Sequence, residues 1–107
     1  MKSIWSEQAI FAWQRIADYI WDNFGDQALL KFQKETIKKE TEILEFPNAG
    51  QKELSAVHAT IVYRYVVINH LSKMIYHVDG DIIYIDVFWD TRLDPKKLVR
   101  LLNNIER

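Results

Sequence analysis

The chain has 107 residues, of which 49% are hydrophobic and 27% charged, and this size and composition are typical of one globular domain over residues 1–107. Cysteine is absent, which excludes disulfides, thiol catalysis and cysteine-ligated metals. The 14 basic and 15 acidic residues give a formal charge of −1, so composition provides no overall attraction to nucleic acid or to an anionic membrane.

The apolar segments are too short for membrane insertion. No apolar run reaches the length of a membrane span, and the N-terminus turns polar without the apolar core of a signal peptide. We therefore expect a cytoplasmic protein that has no membrane partner.

The first half of the chain predicts a short strand followed by two helices. Ile4-Trp5 is a short apolar segment suited to an edge strand, and Ser6 is placed to cap a helix. One apolar stripe follows at three- and four-residue spacing, made of Ala9, Trp13, Ile16, Ala17, Ile20 and Phe24. Gly25 is expected to end this helix in a left-handed conformation, and Asp26 to cap a second helix that ends at Pro47. The short break between the two predicts an antiparallel helical hairpin.

The second half predicts three strands and a final helix. Runs rich in β-branched and aromatic residues cover Ile61–Ile68, Lys73–Val78 and Asp81–Phe88. Asp79-Gly80, between the last two runs, is a hairpin-turn signal. As a two-residue turn it places Tyr76 opposite Ile83, His77 opposite Ile82 and Lys73 opposite Asp86. Asp94-Pro95 then begins a terminal helix whose apolar stripe is Leu98, Leu101, Leu102 and Ile105.

This register gives the predicted hairpin two different faces. The more apolar face is expected to pack on the helices, and it holds Met74, Tyr76, Val78, Ile83, Ile85, Val87 and Trp89. The mixed face is expected to meet solvent or a partner, and it holds Lys73, Ile75, His77, Ile82, Tyr84, Asp86 and Phe88. The predicted fold class is α+β: an N-terminal short strand and a helical hairpin packed on one face of an antiparallel sheet, with a short C-terminal helix.

Short motifs accompany these elements along almost the whole chain. In chain order they are Ile4-Trp5-Ser6-Glu7-Gln8-Ala9, Ile16 with Tyr19-Ile20 and Asn23, Phe46-Pro47 with Gly50, Tyr63-Arg64-Tyr65, Ile75-Tyr76, Asp79-Gly80-Asp81, and Asp90-Thr91-Arg92 with Pro95. Each motif is weak alone. Their combined order and spacing resemble the RelE/ParE superfamily of type II toxin–antitoxin toxins.

The resemblance implies a small toxin that a cognate antitoxin holds inactive. RelE-like members cut mRNA in the ribosomal A site, whereas ParE-like members poison DNA gyrase. The formal charge of −1, the isolated Arg64 in Ile61–Ile68 and the Asn104-Ile105-Glu106-Arg107 ending depart from the nuclease branch. The sequence therefore favours a ParE-like toxin that inhibits its target by binding. A RelE-like mRNA endoribonuclease and a non-toxic antitoxin-binding relative are the alternatives.

Metal-free RNA cleavage requires a base, an acid and a cation on the phosphate. The side chains available for these roles are Arg64, Lys73, Arg92, His58, His70, His77, Tyr76 and Tyr84. The strongest candidate set for a nuclease is Arg64, Lys73, His77 and Arg92, provided that they converge on the open face of the sheet. The structural alternative is that Lys73 only pairs with Asp86 and that His77 is a solvated strand residue.

Three residues also have both a functional and a structural interpretation. Arg64 either serves a site or pairs with a helix carboxylate such as Glu40. Arg92 is expected to bind a partner carboxylate or a phosphate, or else to tie its loop to the sheet. Phe11 lies on the polar side of the first helix, so it either meets a partner or is covered by the terminal helix. No cofactor motif is present, and the spacing of His70 and His77 predicts no metal site.

Overall fold

The computed structural model of the chain describes residues 1–55 and 60–105, with side chains as far as residue 104. Its elements are β1 (Lys2–Trp5), α1 (Glu7–Phe24), α2 (Asp26–Glu45), β2 (Gln51–Lys52), β3 (Arg64–Asn69), β4 (Ser72–Asp79), β5 (Ile82–Asp90) and α3 (Pro95–Ile105). The strands form one five-stranded sheet in the order β1-β5-β4-β3-β2. This architecture confirms the predicted α+β class.

Both ends of α1 follow from local chemistry. Ser6 caps the helix because its Oγ accepts a hydrogen bond from the Ala9 backbone N–H at 3.0 Å. Gly25 ends it with φ 88° and ψ −173°, a conformation that requires glycine, and its N–H donates to the Trp21 carbonyl. Gly25 also occupies the cap position of α2, so the predicted capping role of Asp26 is wrong; Asp26 instead accepts a bond from the Trp21 indole. The helices form the predicted hairpin.

The sheet is mixed rather than purely antiparallel. Strands β2 to β5 pair antiparallel, whereas the edge strand β1 pairs parallel to β5. The predicted edge position of Ile4-Trp5 is confirmed. The predicted strand at Ile61–Ile68 is shorter and later, since β3 spans Arg64–Asn69.

The predicted register of the β4–β5 hairpin is wrong. The turn residues are Gly80 and Asp81, so Tyr76 lies opposite Ile85 and His77 opposite Tyr84. The register then shifts between Ile75 and Tyr76, which leaves Asp86 as an extra residue on β5. Beyond this bulge Lys73 lies opposite Trp89, not Asp86.

The bulge also changes which side chains face the helices. Phe88, predicted on the mixed face, packs on the helix side with Phe32 and Trp5. Val87 and Trp89, predicted on the helix side, lie in a second core with Ile75 and Tyr63. Leu98 and Leu102 of α3 complete that second core. Helices therefore cover both faces of the sheet, and the prediction that all of them pack on one face is wrong.

Candidate functional site

A polar groove opens where the end of β4 meets β2 and the start of β3. Its volume is about 660 Å³, and its lining residues are Asn48, Lys52, Thr60, Ile61, Val62, Arg64, His77, Val78 and Asp79. We call this cavity the polar groove. It contains two of the four predicted catalytic residues, Arg64 and His77.

Arg64 is held by the backbone rather than by a carboxylate. It is the first residue of β3, and its Nη1 donates to the carbonyl oxygen of Gly50 at 2.8 Å. The predicted pairing with Glu40 is wrong, because Glu40 Oε2 accepts bonds from Ser3 Oγ at 2.6 Å and Trp5 Nε1 at 2.8 Å. Among the described residues, no carboxylate forms an ion pair with Arg64. Its positive charge thus remains available to the polar groove.

The His77 ring is fixed on three sides. Its Nδ1 lies 2.5 Å from Asp86 Oδ2, so the bulge residue of β5 orients the imidazole. The ring stacks on Tyr84 with 5.1 Å between ring centroids and meets the edge of Tyr63 at 5.7 Å. An imidazole oriented by a carboxylate has the arrangement that proton transfer requires. His77 is therefore more than a solvated strand residue.

Lys73 anchors the segment that follows β2. Its Nζ lies 2.6 Å from Glu53 Oε1 and 4.5 Å from the centroid of the Tyr65 ring. The expected pairing of Lys73 with Asp86 is wrong, because Asp86 bonds to His77. Burial alone would raise the pKa of Glu53, but the hydrogen bonds from Lys73 and Ser55 outweigh burial and leave that pKa below its ordinary value. This contact ties β4 to the chain leaving β2.

Arg92 lies in a different cavity from Arg64 and His77. This loop cleft, about 250 Å³ between α1 and the segment after β5, is lined by Gln8, Ala12, Arg15, Ile16, Tyr19, Phe88, Trp89, Asp90, Arg92 and Leu93. The Arg92 guanidinium donates to both Asp90 oxygens, at 3.1 and 2.8 Å, and lies 5.0 Å from the centroid of the Tyr19 ring. These bonds raise the pKa of Arg92 and lower that of Asp90. The structure thus separates Arg92 from the polar groove.

Phe11 is exposed on the outer side of the helical hairpin. Its side chain is 61% accessible, and α3 packs on the opposite face of the sheet. The alternative in which the terminal helix covers Phe11 is therefore wrong. Nothing in the described chain covers this side of the hairpin, and the role of Phe11 in partner binding stays a prediction.

An apolar cleft opens between the two long helices. We call it the hairpin cleft; its volume is about 420 Å³, and Trp5, Ile10, Trp13, Gln14, Gln33, Thr36, Ile37 and Glu40 line it. The polar groups of its floor are already paired, since Trp13 Nε1 donates to Thr36 Oγ1 at 2.9 Å and Glu40 holds Trp5. Ile10 and Ile37 remain 43% and 62% accessible at its rim. The hairpin cleft is suited to apolar side chains of another molecule.

Sequence reasoning missed Lys52 of the polar groove and the rim residues Ile10 and Ile37. Lys52 belongs to a strand of two residues, too short to show an alternating pattern. Ile10 and Ile37 fit an ordinary amphipathic stripe, and only the packing of the hairpin shows that they stay accessible.

Residues 1–55 and 60–105 provide neither a metal-binding cluster nor a membrane-spanning helix. In this part of the chain, no group of three or more acidic or histidine side chains is placed to hold a metal ion. No helix within it is long and apolar enough to cross a membrane. His58, one of the candidate titratable groups, lies outside the described residues.

Comparisons with known proteins match the sequence to one toxin family. Residues 3–94 match the family model of the ParE toxin of the type II toxin–antitoxin system parDE. Among solved structures, the chain is similar to the chromosomal ParDE toxin–antitoxin system of P. aeruginosa, with a TM-score of 0.66. That match has 16% sequence identity and covers 84% of this chain and 95% of the other, so it concerns the fold. A search of curated proteins found no match.

Proposed function

Because this chain belongs to the ParE toxin family of type II toxin–antitoxin systems, we propose that a cognate antitoxin neutralises it at the hairpin cleft and that the free toxin inhibits DNA gyrase in the cytoplasm by binding. Membership in this family makes the chain a toxin component and confirms the resemblance found in its motifs. The observation that carries the proposal is the accessible apolar surface on the outer side of the helical hairpin.

This surface has the character of a protein-binding site. Phe11, Ile10 and Ile37 are each more than 40% accessible, and the last two flank a cleft whose polar floor is internally satisfied. Burying such side chains in an interface is favourable by about 25 cal/mol per Å² of apolar area. Interface energy concentrates in a few residues of this kind at the centre of a contact. An antitoxin segment that inserts apolar side chains between α1 and α2 fits this surface.

One positive charge borders the hairpin cleft. Lys34 is exposed and lies one turn before Ile37 on α2, so the two side chains are neighbours on the helix surface. Lys31 and Lys38 line a separate groove of α2 that shares no lining residue with the cleft. A partner helix whose apolar stripe is bordered by an acidic residue would satisfy both the cleft and Lys34. The antitoxin is therefore expected to present such a helix.

The arrangement of the predicted catalytic residues supports inhibition by binding over RNA cleavage. Arg64 and His77 share the polar groove, but Lys73 is paired with Glu53 and Arg92 lies in the loop cleft. The endoribonuclease alternative rests on one observation, the carboxylate-oriented His77 near Arg64. Direct assays of the two targets distinguish these mechanisms.

The antitoxin part of the proposal is tested by co-expression with the reading frame next to the toxin gene. The wild-type pair should co-purify, and Ile37→Asp should break the complex because it places a charge in the apolar cleft. Leu54→Asp is the matched control, since Leu54 is 86% accessible and lies outside the cleft. Unchanged co-purification of the Ile37→Asp variant would place the antitoxin elsewhere.

The target part is tested by inducing the toxin alone in growing cells. Plasmid supercoiling and protein synthesis are followed separately in the first minutes after induction. We expect supercoiling to fall before translation does. Early cleavage of translated mRNA with normal supercoiling would favour the RelE-like alternative, and unimpaired growth would favour the non-toxic relative.

A further inference from the structure

We propose that the polar groove binds a single phosphate group between Lys52 and Arg64, which face each other across β2 and β3. The inference is independent of the antitoxin and gyrase proposals, because it rests on the charges of this groove alone. The expected ligand is a nucleoside monophosphate or a phosphodiester of a nucleic acid.

The first argument is the direct opposition of two cations. Lys52 and Arg64 are paired residues of the antiparallel β2–β3 ladder. Side chains at such positions have Cβ atoms about 4.5–5.5 Å apart, and like charges there repel each other. Among the described residues, neither cation has a carboxylate at ion-pairing distance. An anion between them would turn this repulsion into two attractive contacts.

The second argument is that the groove is built to hold donors in place. The bond from Arg64 Nη1 to Gly50 O fixes the guanidinium and leaves its other N–H groups to donate. Asn48 lines the same groove from the turn before β2. Arg64 pairs with Tyr76, so His77, the next residue of β4, projects its ring from the opposite face of the sheet toward Tyr63. Donors therefore reach this cavity from β2, β3 and the turn before β2.

The geometry favours phosphate over a carboxylate. A carboxylate has two oxygens in one plane, whereas the oxygens of a phosphate group are arranged tetrahedrally and accept from donors on several sides. The lysine of β2, the arginine of β3 and the amide of Asn48 match the second pattern. The volume of about 660 Å³ is large enough for a nucleotide.

One lining residue limits the number of phosphates. Asp79 ends β4 at the rim of the groove, and its carboxylate is exposed. A second or third phosphate reaching that rim would be repelled by Asp79. We therefore expect a monophosphate to bind better than a triphosphate of the same nucleoside.

Calorimetric titration of the full-length protein in phosphate-free, low-salt buffer tests the proposal. The probes are AMP, ATP, a short single-stranded RNA and an acidic peptide. Lys52→Gln should weaken AMP or RNA binding at least about tenfold, the scale expected for one charge-assisted hydrogen bond. Lys31→Gln, which alters a lysine of α2 outside the groove, should leave binding unchanged. Whichever of AMP and RNA binds with the higher affinity identifies the source of the phosphate.

Thermal melting separates a ligand site from a structural lysine. Without phosphate, Lys52→Gln should melt at or above the wild-type temperature because it removes the repulsion. Added inorganic phosphate should raise the melting temperature of the wild type but not of the variant. The proposal is overturned by equal AMP and RNA binding in both proteins, by binding of the acidic peptide alone, or by a variant that melts lower in both buffers. Arg64→Lys provides a second variant, which keeps the positive charge but loses the planar guanidinium that can donate two parallel hydrogen bonds.

Discussion

The hydroxyl of Tyr76 connects the sheet to the turn that carries the polar groove. Tyr76 is fully buried, and its Oη donates to the Pro47 carbonyl at 2.7 Å and accepts from the Gly50 N–H at 3.0 Å. These bonds fix the Pro47–Gly50 turn that leads into β2. Tyr76→Phe removes both bonds and keeps the ring, so it tests their contribution without creating a large cavity.

The expected cost follows from what the two partners lose. Gly50 is buried, and a buried N–H left without an acceptor costs about 1–3 kcal/mol. Pro47 is only partly buried, so water can replace part of its lost bond. We expect a total loss of about 2–3 kcal/mol, which lowers the melting temperature by about 8–15 °C in a chain of this size. Tyr65→Phe is the matched control, because its exposed bond to Gln51 should contribute less than about 0.5 kcal/mol.

Alkaline pH gives the same reasoning a second test. Burial raises the pKa of Tyr76 above its ordinary value of 10.0, against the smaller opposing effects of the Gly50 bond and the Arg64 charge. Above about pH 10 the unfolded chain ionises this tyrosine while the folded protein keeps it neutral, so its stabilising contribution is lost as pH rises. Urea unfolding should thus show a smaller difference between wild type and Tyr76→Phe at pH 11 than at pH 8. A Tyr76→Phe protein that melts within about 2 °C of wild type would refute the account.

Three further substitutions test other contacts. Gly50→Ala should lower the free energy of unfolding in urea more than Tyr76→Phe does, because its Cβ would lie 2.7 Å from Tyr76 Oη and 2.8 Å from the Tyr65 carbonyl oxygen. An equal or smaller decrease would contradict this. Arg92→Ala should fold with a near-normal melting temperature yet lose toxicity, and Arg92→Lys should recover little of that toxicity. Full toxicity of Arg92→Ala would show that Arg92 has no functional role. The pKa of Glu53 is lowered in the folded protein, so its stabilising contribution is lost as pH falls. Between about pH 5 and 3 the melting temperature of wild type should therefore fall more than that of Glu53→Gln. An equal fall in the two proteins would contradict this.

The helices could be predicted from the sequence because their signals are local. The apolar spacing of α1, its Ser6 cap and the Gly25 break all act within a few residues of one another. The strands β4 and β5 were also predictable from their composition and the turn between them. These features depend on neighbouring residues rather than on distant contacts.

The faces of the sheet could not be predicted because both are buried. From Ile82 to Trp89 the strand is apolar at most positions, since α1 and α2 cover one face and α3 covers the other. Alternation therefore does not show where the bulge at Asp86 exchanges the two faces. The one-residue shift moved Phe88, Val87 and Trp89 to the sides opposite those predicted.

The surroundings of Arg64 were unpredictable for a related reason. Its partner is the backbone carbonyl of Gly50, and its cross-strand neighbour Lys52 lies in a strand of two residues. Neither contact has a side-chain signature in the sequence. Arg64 and His77 could be selected as candidates by residue type, but the separation of Arg92 from them required the three-dimensional arrangement.

A supercoiling reaction with purified components tests the central claim most directly. Wild-type toxin is added to DNA gyrase and relaxed plasmid, with and without the co-purified antitoxin, and in parallel to a translation reaction. We predict that the toxin inhibits supercoiling, that an equimolar amount of antitoxin restores it, and that the mRNA in the translation reaction stays intact. Normal supercoiling together with cleaved mRNA would contradict the account.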